Sequence, residues 1–158
     1  MNLSQQLAKH FREVFWGGNW TSVSLKESLE GISWQQATTK MLSFNTIAAL
    51  IYHINYYIAA VTPVLQGEAL NASDKYSFDL SPVQSEKDWE VLLDKFWSDA
   101  ENFAGLVEQF PESKLWEDFS EGKNGNYLRN IQGIIEHTHY HLGQIVLIKK
   151  ILPKEEQV

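Results

Sequence analysis

Three histidines, His137, His139 and His141, fall within five residues of the stretch IEHTHYHLGQIVLI. On an α-helix, at about 100° per residue, His137 and His141 lie one turn apart and about 40° from each other, whereas His139 points almost the opposite way. Two imidazoles one turn apart can offer two nitrogens to a single transition metal, with the remaining ligands supplied by other elements. A lone histidine on an apolar helix face is more often a hydrogen-bonded core residue, so the pair needs at least one partner. Two further histidines, His10 and His53, are available. His53 sits midway along an apolar helical segment, on a side lined by Ala49 and Ala60 that leaves room beside it. His10 lies close to the Leu3/Leu7/Val14 direction of the first helix. Periodicity leaves the choice between them open. Histidine ligands must be neutral, so binding is expected to weaken below about pH 6.

Other chemistries fit less well. Thr138 follows the first histidine of the pair, so the helix lacks the glutamate base of an HExxH site. Glu136 projects about 100° away from His137, a poor direction for the carboxylate of a 2-His-1-carboxylate centre. No glutamate stands three residues before His53 or His137, as the ferritin-like pattern requires. There is no G-x-S-x-G elbow, P-loop or Rossmann glycine pattern. With no cysteine in the chain, disulfides, thiolate metal sites and a protein thiol nucleophile are excluded. Gln144, one turn beyond His141, is placed either to hold a ligand ring or to satisfy neighbouring buried polar groups. Tyr56, Tyr57 and Tyr140 receive no role, and Trp16, Trp20 and Trp34 either wall the site or bury a dimer face.

The elements that must position these residues follow from apolar spacing. Leu3, Leu7, His10, Phe11, Val14 and Phe15 predict a first helix of about four turns, stopped at Gly17-Gly18. Trp16 and Trp20 flank these glycines, and large rings in a loop usually fold back onto the core. Short helical pieces are predicted at Ser24 to Leu29 and Ser33 to Met41. A long helix capped by Ser43 or Asn45 runs from Thr46 to about Gln66, with Pro63 expected to kink or end it. Its stripe of Ile47, Leu50, Ile51, Ile54, Ile58, Val61 and Leu65, supplemented by alanines, predicts a central position. Gly67 to Val83 reads as a long surface loop. Ser85 and Asp88 fit a capping box opening a helix to about Phe110. A connector from Pro111 to Gly125, with one helical turn at Ser113 to Phe119, leads to a last helix from the Asn126 cap to about Leu152, before Pro153.

Four long helices without strand-length alternation predict an all-α chain: a four-helix bundle with short extra helices in the connectors, forming a single domain over 1–158. The length is right for one domain. The net charge of −7 argues against nucleic-acid partners. Lys149, Lys150 and Lys154 suit a helix C-terminus, where cations meet the negative end of the dipole. No continuous apolar run of the roughly 18 to 20 residues that span a bilayer is evident, and the segment MNLSQQLAKHFREVFW lacks a signal-peptide core, so the expectation is a cytoplasmic protein with no membrane partner.

The segments LIYHINYYIAA, GNWTSVSLKESLEGISWQQA and, most specifically, GIIEHTHYHLGQIVLIKK resemble the DinB-like (damage-inducible, YfiT-type) metal-binding four-helix bundles, over nearly the whole chain. That resemblance implies one histidine from the second long helix and a His-x-x-x-His pair from the last binding a divalent metal, with water in the open positions. Carried over by motif, the ligands are His53, His137 and His141, and the metal is zinc or nickel first, with iron or copper also suited to three imidazoles. The resemblance further implies a thiol-dependent transferase, with a low-molecular-weight thiol of the bacillithiol type and an electrophilic small molecule as partners, and a homodimer. It identifies no catalytic residue. The competing expectation is a non-catalytic protein whose metal ties two helices together.

Overall fold

The computed structural model describes residues 1–152, and the expectations on Pro153 and Lys154 lie outside them. The described residues are helical, with no strand; one isolated antiparallel bridge joins Asp118 and Asn126. Six α-helices follow one another: α1 (Leu3–Trp16), α2 (Leu25–Leu29), α3 (Trp34–Thr38), α4 (Ile47–Leu65), α5 (Glu86–Gln109) and α6 (Tyr127–Ile151). Each α-helix begins on a polar side chain that accepts a backbone N–H three residues on: Asn2, Ser24, Ser33, Thr46, Ser85 and Asn126. Such caps satisfy donors that the helix itself leaves orphaned.

Several expectations are corrected in detail. The cap of α4 is Thr46, not Ser43 or Asn45. Pro63 is accommodated in the last turn of α4, which ends two residues later, so it terminates the helix rather than kinking its middle. The α3 segment is shorter than the predicted Ser33 to Met41, and the turn in the α5–α6 connector is a 3-10 helix at Glu112–Trp116. At Ser85 the capping box is only half formed, because the Asp88 carboxylate accepts from the N–H of Gln84. Gly17 and Gly18 do stop α1, taking φ of 107° and 98°, values that side chains with a Cβ disfavour. Trp20 is 99% exposed instead of folding back onto the core.

The four long helices pack in the cyclic order α1, α5, α4, α6. Their directions follow from who meets whom. Phe11 packs on Phe103 and Phe15 on Phe96, and the Leu3 N–H reaches Glu112, so α1 and α5 are antiparallel. Val64 lies by Tyr127 while Leu50 lies by Ile148, so α4 and α6 are antiparallel. Phe110 stacks beside Tyr127, which brings the C-terminal ends of α4 and α5 together. Hence α4 and α5 are parallel neighbours, and the segment 66–85 must return along the length of α4, roughly 28 Å.

The core is one continuous cluster to which all six α-helices contribute. Its centre is aromatic, with Phe11, Phe15, Phe96 and Phe103 in tilted contact at centroid distances of 4.6 to 5.1 Å. Trp89 is buried and its indole N–H donates to the Ile32 carbonyl at 3.0 Å, which pins the start of α5 to the loop before α3. At the same end Lys149, in the last turn of α6 as expected, also donates to the carbonyls of Glu30 (2.8 Å) and Glu27 (3.4 Å) and so caps the end of α2.

By length and hydropathy alone α4, with 19 residues and a mean hydropathy of 1.4, could cross a bilayer. Here it is one of the four helices packed around the core, not a central one, with 56% of its most apolar window buried and with His53 and Asn55 among its buried residues. Asn55 donates to Asp99 at 2.7 Å, a polar tie between α4 and α5.

Trp89→Phe removes the indole donor and leaves the Ile32 carbonyl short of a partner. The expected loss is about 1 to 3 kcal/mol in urea unfolding at unchanged m-value. An unfolding midpoint equal to that of the wild type would mean the carbonyl finds another donor.

Candidate metal centre

Burial of the apolar stripe of α6 decides which histidines face α4. Ile131, Ile134, Ile135, Thr138, Leu142 and Ile145 point into the core, and His137 and His141 stand at the border of that stripe. Across the seam His53 stands on α4. His53 and His141 are each only 7% exposed, and His137 is half-buried. The structure therefore brings together the three residues singled out by resemblance. One ligand nitrogen from each lies within 4.8 Å of the others. His10 is elsewhere: its ring packs against His139, centroids 5.9 Å apart, in the α1–α6 seam.

The nitrogen geometry is informative. His137 Nε2 lies 3.1 Å from His53 Nε2 and 3.0 Å from His141 Nε2. The outer nitrogens are engaged separately. His53 Nδ1 lies 3.2 Å from the Ser77 carbonyl oxygen, and His141 Nδ1 lies 2.7 Å from Gln144 Oε1. Both oxygens only accept, so each Nδ1 carries the proton and donates it. In a neutral imidazole the other nitrogen is then bare. Two bare Nε2 atoms thus face a third, and His137 has at most one proton to offer between them. If His137 Nε2 holds that proton, its Nδ1, buried and without a partner, is left with an unused lone pair. Protons alone do not satisfy this cluster.

A cation does. Three ligands at about 2.05 Å in a tetrahedral shell stand about 3.3 Å apart, close to the separations from His137 Nε2. The donor set, three inward lone pairs with two rings oriented by outer hydrogen bonds, is the arrangement metal-binding histidines take. Among the described residues the cluster contains no cysteine and no carboxylate. Gln144 pairs with the His141 ring through Oε1, a contact that fits both of its anticipated roles.

Electrostatics agree. Burial pushes all three imidazoles below the ordinary histidine value. His137, which also feels His141 and His53, is lowered to about 4. For His53 the Ser77 carbonyl and Asp74 act in the opposite direction, as Gln144 does for His141. All three rings are therefore neutral near pH 7, the form that ligates.

The long segment between α4 and α5 supplies residues that spacing did not reveal. It runs mostly over the surface, as expected, but Ser77 is buried and Phe78, itself exposed, stacks on His53 with centroids 3.9 Å apart and planes within 11°. A 3-10 turn at Asp74–Tyr76 holds this part of the chain in place. The Tyr57 hydroxyl donates to Asp74 at 2.9 Å, and the Tyr56 hydroxyl donates to the Ser73 carbonyl at 2.8 Å while accepting its N–H. Tyr57 packs edge-on against both His53 and His137, at 5.1 and 4.8 Å. Burial and the Asp74 carboxylate raise the pKa of this phenol, so it stays protonated. Tyr140, largely exposed, lies edge-on to His141 at 4.9 Å. Trp16 packs on Phe15 and Trp97, away from the cluster. The sequence signal for the loop's role is a pair of aromatics, Tyr76 and Phe78, in a stretch rich in turn residues.

Comparison of the chain with protein-family models, with curated proteins and with solved structures finds no match in any of the three.

His137→Ala is expected to abolish tight divalent-metal binding with helical content intact, as read by elemental analysis and circular dichroism; undiminished metal rejects the site. His139→Ala, in the other seam, should leave metal content unchanged.

The lowered values also set a pH window. Because the folded pKa of His137 lies below its unfolded value near 6.5, the unfolded chain takes up the proton first. The metal-free fold keeps its full stability above pH 6.5 and loses part of it as pH falls toward about 4. Proton competition for the metal likewise starts lower than the pH 6 expected from free histidine. With chelator present, the urea midpoint of the wild type should fall more between pH 6.5 and 4 than that of His137→Gln; parallel falls would refute this.

Proposed function

We propose that the protein is a DinB-like four-helix bundle that holds a divalent transition metal, zinc or nickel foremost, on His53, His137 and His141 and uses it to transfer a low-molecular-weight thiol to an electrophilic small molecule. The observation that carries this reading is the donor set: three converging imidazoles and, among the described residues, no fourth histidine or carboxylate to close the shell. A four-coordinate metal with three protein ligands keeps a position for an exchangeable ligand, the mark of catalytic rather than structural sites. When bound, a divalent ion on three neutral imidazoles retains its full charge and lowers the pKa of a coordinated thiol or water by several units.

The remaining functions belong to the chain itself. The Ser77 carbonyl and Gln144 fix the tautomer and tilt of two rings, so their Nε2 lone pairs point inward before any metal arrives. Phe78 covers one face of the His53 ring. Asp74 anchors Tyr57 as a neutral wall against two of the ligands. The chain has no cysteine, so the nucleophilic sulfur must come from a small molecule. In the net reaction the sulfur–carbon bond forms, the bond from that carbon to its leaving group breaks, and the thiol proton ends on the leaving group or in solvent.

The placement of the three histidines on α4 and α6 supports the family reading. The burial of α4 supports a core helix and, with it, the cytoplasmic setting. A purely structural metal would be favoured by a fourth protein donor, and among the described residues no further histidine, cysteine or carboxylate joins the cluster.

Protein purified without chelator is expected to contain close to one equivalent of metal, and to form thioether adducts from a thiol such as cysteine and an electrophile such as monochlorobimane faster than the uncatalysed background. Metal at full occupancy with no rate above background, across several thiols and electrophiles, would leave only the structural role.

A further inference from the structure

A groove of about 330 Å3 runs along α6 from Arg129 to His137 and is closed on its other side by Tyr57 and Val61 of α4. Its volume lies within the range of small-molecule sites, about 300 to 1,000 Å3. One end borders the histidine cluster: His137, a member, lines it, and so does Tyr57, which packs against two members.

Midway lies Gly133. A Cβ built there meets nothing within 4 Å, so no neighbour demands a glycine. Glycine inside a helix costs about 1 kcal/mol relative to alanine. The effect of having it here is an open groove one turn from His137.

The far end carries a cation without a counterion. The chain has only two arginines, Arg12 and Arg129. Arg12 is held by Glu101 and Glu108 at 2.9 Å each. The guanidinium of Arg129 has no hydrogen bond or ion pair with any described residue, although the chain carries seven more negative than positive charges. It stands eight residues from His137, about 12 Å along the helix axis. Glu136, also lining the groove and without a described partner, sits at the metal end. It repels a second negative charge there, so an anionic group is directed to the Arg129 end.

We propose that this groove binds the outer part of the substrate thiol: an elongated small molecule whose carboxylate pairs with Arg129, roughly 10 Å from the sulfur that meets the metal end of the groove. This rests on the metal–thiol reading above and names the substrate class for it. A planar guanidinium takes a carboxylate through two parallel hydrogen bonds, which makes Arg129 a specificity residue.

Titration calorimetry of zinc-loaded protein with ω-mercaptooctanoate and ω-mercaptooctanol tests this, because the two ligands share length and thiol and differ in terminal charge. In the wild type the acid should bind about tenfold more tightly than the alcohol, a difference of about 1.4 kcal/mol. Arg129→Gln should bring the ratio close to one without changing alcohol affinity or zinc content. Gly133→Leu should fill the groove and weaken both ligands about tenfold, with zinc retained and thermal stability not reduced. Equal binding of acid and alcohol by the wild type, or a preference that survives Arg129→Gln, overturns the groove proposal while leaving the metal reading intact. Protein that takes up no zinc, or zinc-loaded protein that binds neither thiol, overturns both.

Discussion

Parallel neighbours cannot be joined by a short turn. Because α4 and α5 run the same way side by side, the chain between them has to travel back along the length of α4, and it does so over residues 66–85. Most of the site's second layer is a consequence of that return. The Ser77 carbonyl that orients His53, the Phe78 ring that covers it and the Asp74 carboxylate that anchors Tyr57 all belong to this segment. Two tyrosines one residue apart, Tyr56 and Tyr57, tether its middle to α4. An antiparallel α4–α5 pair with a tight turn would have left His53 facing solvent without an acceptor for its Nδ1–H.

Inside that frame the three imidazoles stabilise one another only conditionally. Their burial disfavours the charged forms, and their mutual approach raises the penalty further, so below the ordinary histidine range each proton added to the cluster is opposed by the others. Above that range the difficulty is reversed, because bare lone pairs meet with too few protons between them. A polar cluster that is half satisfied destabilises a fold more than apolar packing would. The surrounding polar groups are nonetheless arranged to keep the lone pairs pointing inward, the arrangement that could hold a metal ion at their meeting point.

Much of this was legible in the residues, for physical reasons that also mark where legibility stopped. The long helices follow from apolar periodicity and from caps such as Ser85 and Asn126, which act over three or four residues. The one-turn spacing of His137 and His141, and the opposite heading of His139, are properties of any helix. Which of His53 and His10 completes the set is not a local property. It depends on α4 and α1 flanking α6 on different sides, and that order is decided by the whole core. Only the family resemblance chose between them in advance. The Ser77 carbonyl carries no side-chain signature at all, so no spacing rule could find it. Trp20 failed as a core residue because the neighbouring turn is held by Asn19, whose amide bonds Glu13 and Val23 and leaves the indole outside.

One helix therefore does three jobs on three adjoining faces. The Ile131/Ile135/Leu142/Ile145 face builds the core, the His137/His141 border faces α4, and the Arg129/Gly133/Glu136 side opens to the groove. At 100° per residue these faces are separated by little more than one side chain's width, so the core fixes the heading of the ligand pair and the ligand pair fixes the heading of the groove. Rigid packing of the isoleucines against α4 and α1 is what keeps two Nε2 atoms about a hydrogen-bond length from a third without a proton between each pair. The chemistry at the border is thus held by apolar contacts behind it, and a change at a buried isoleucine such as Ile134, whose carbonyl accepts from the Thr138 hydroxyl and which stands one turn before His137, would be felt at the histidine border.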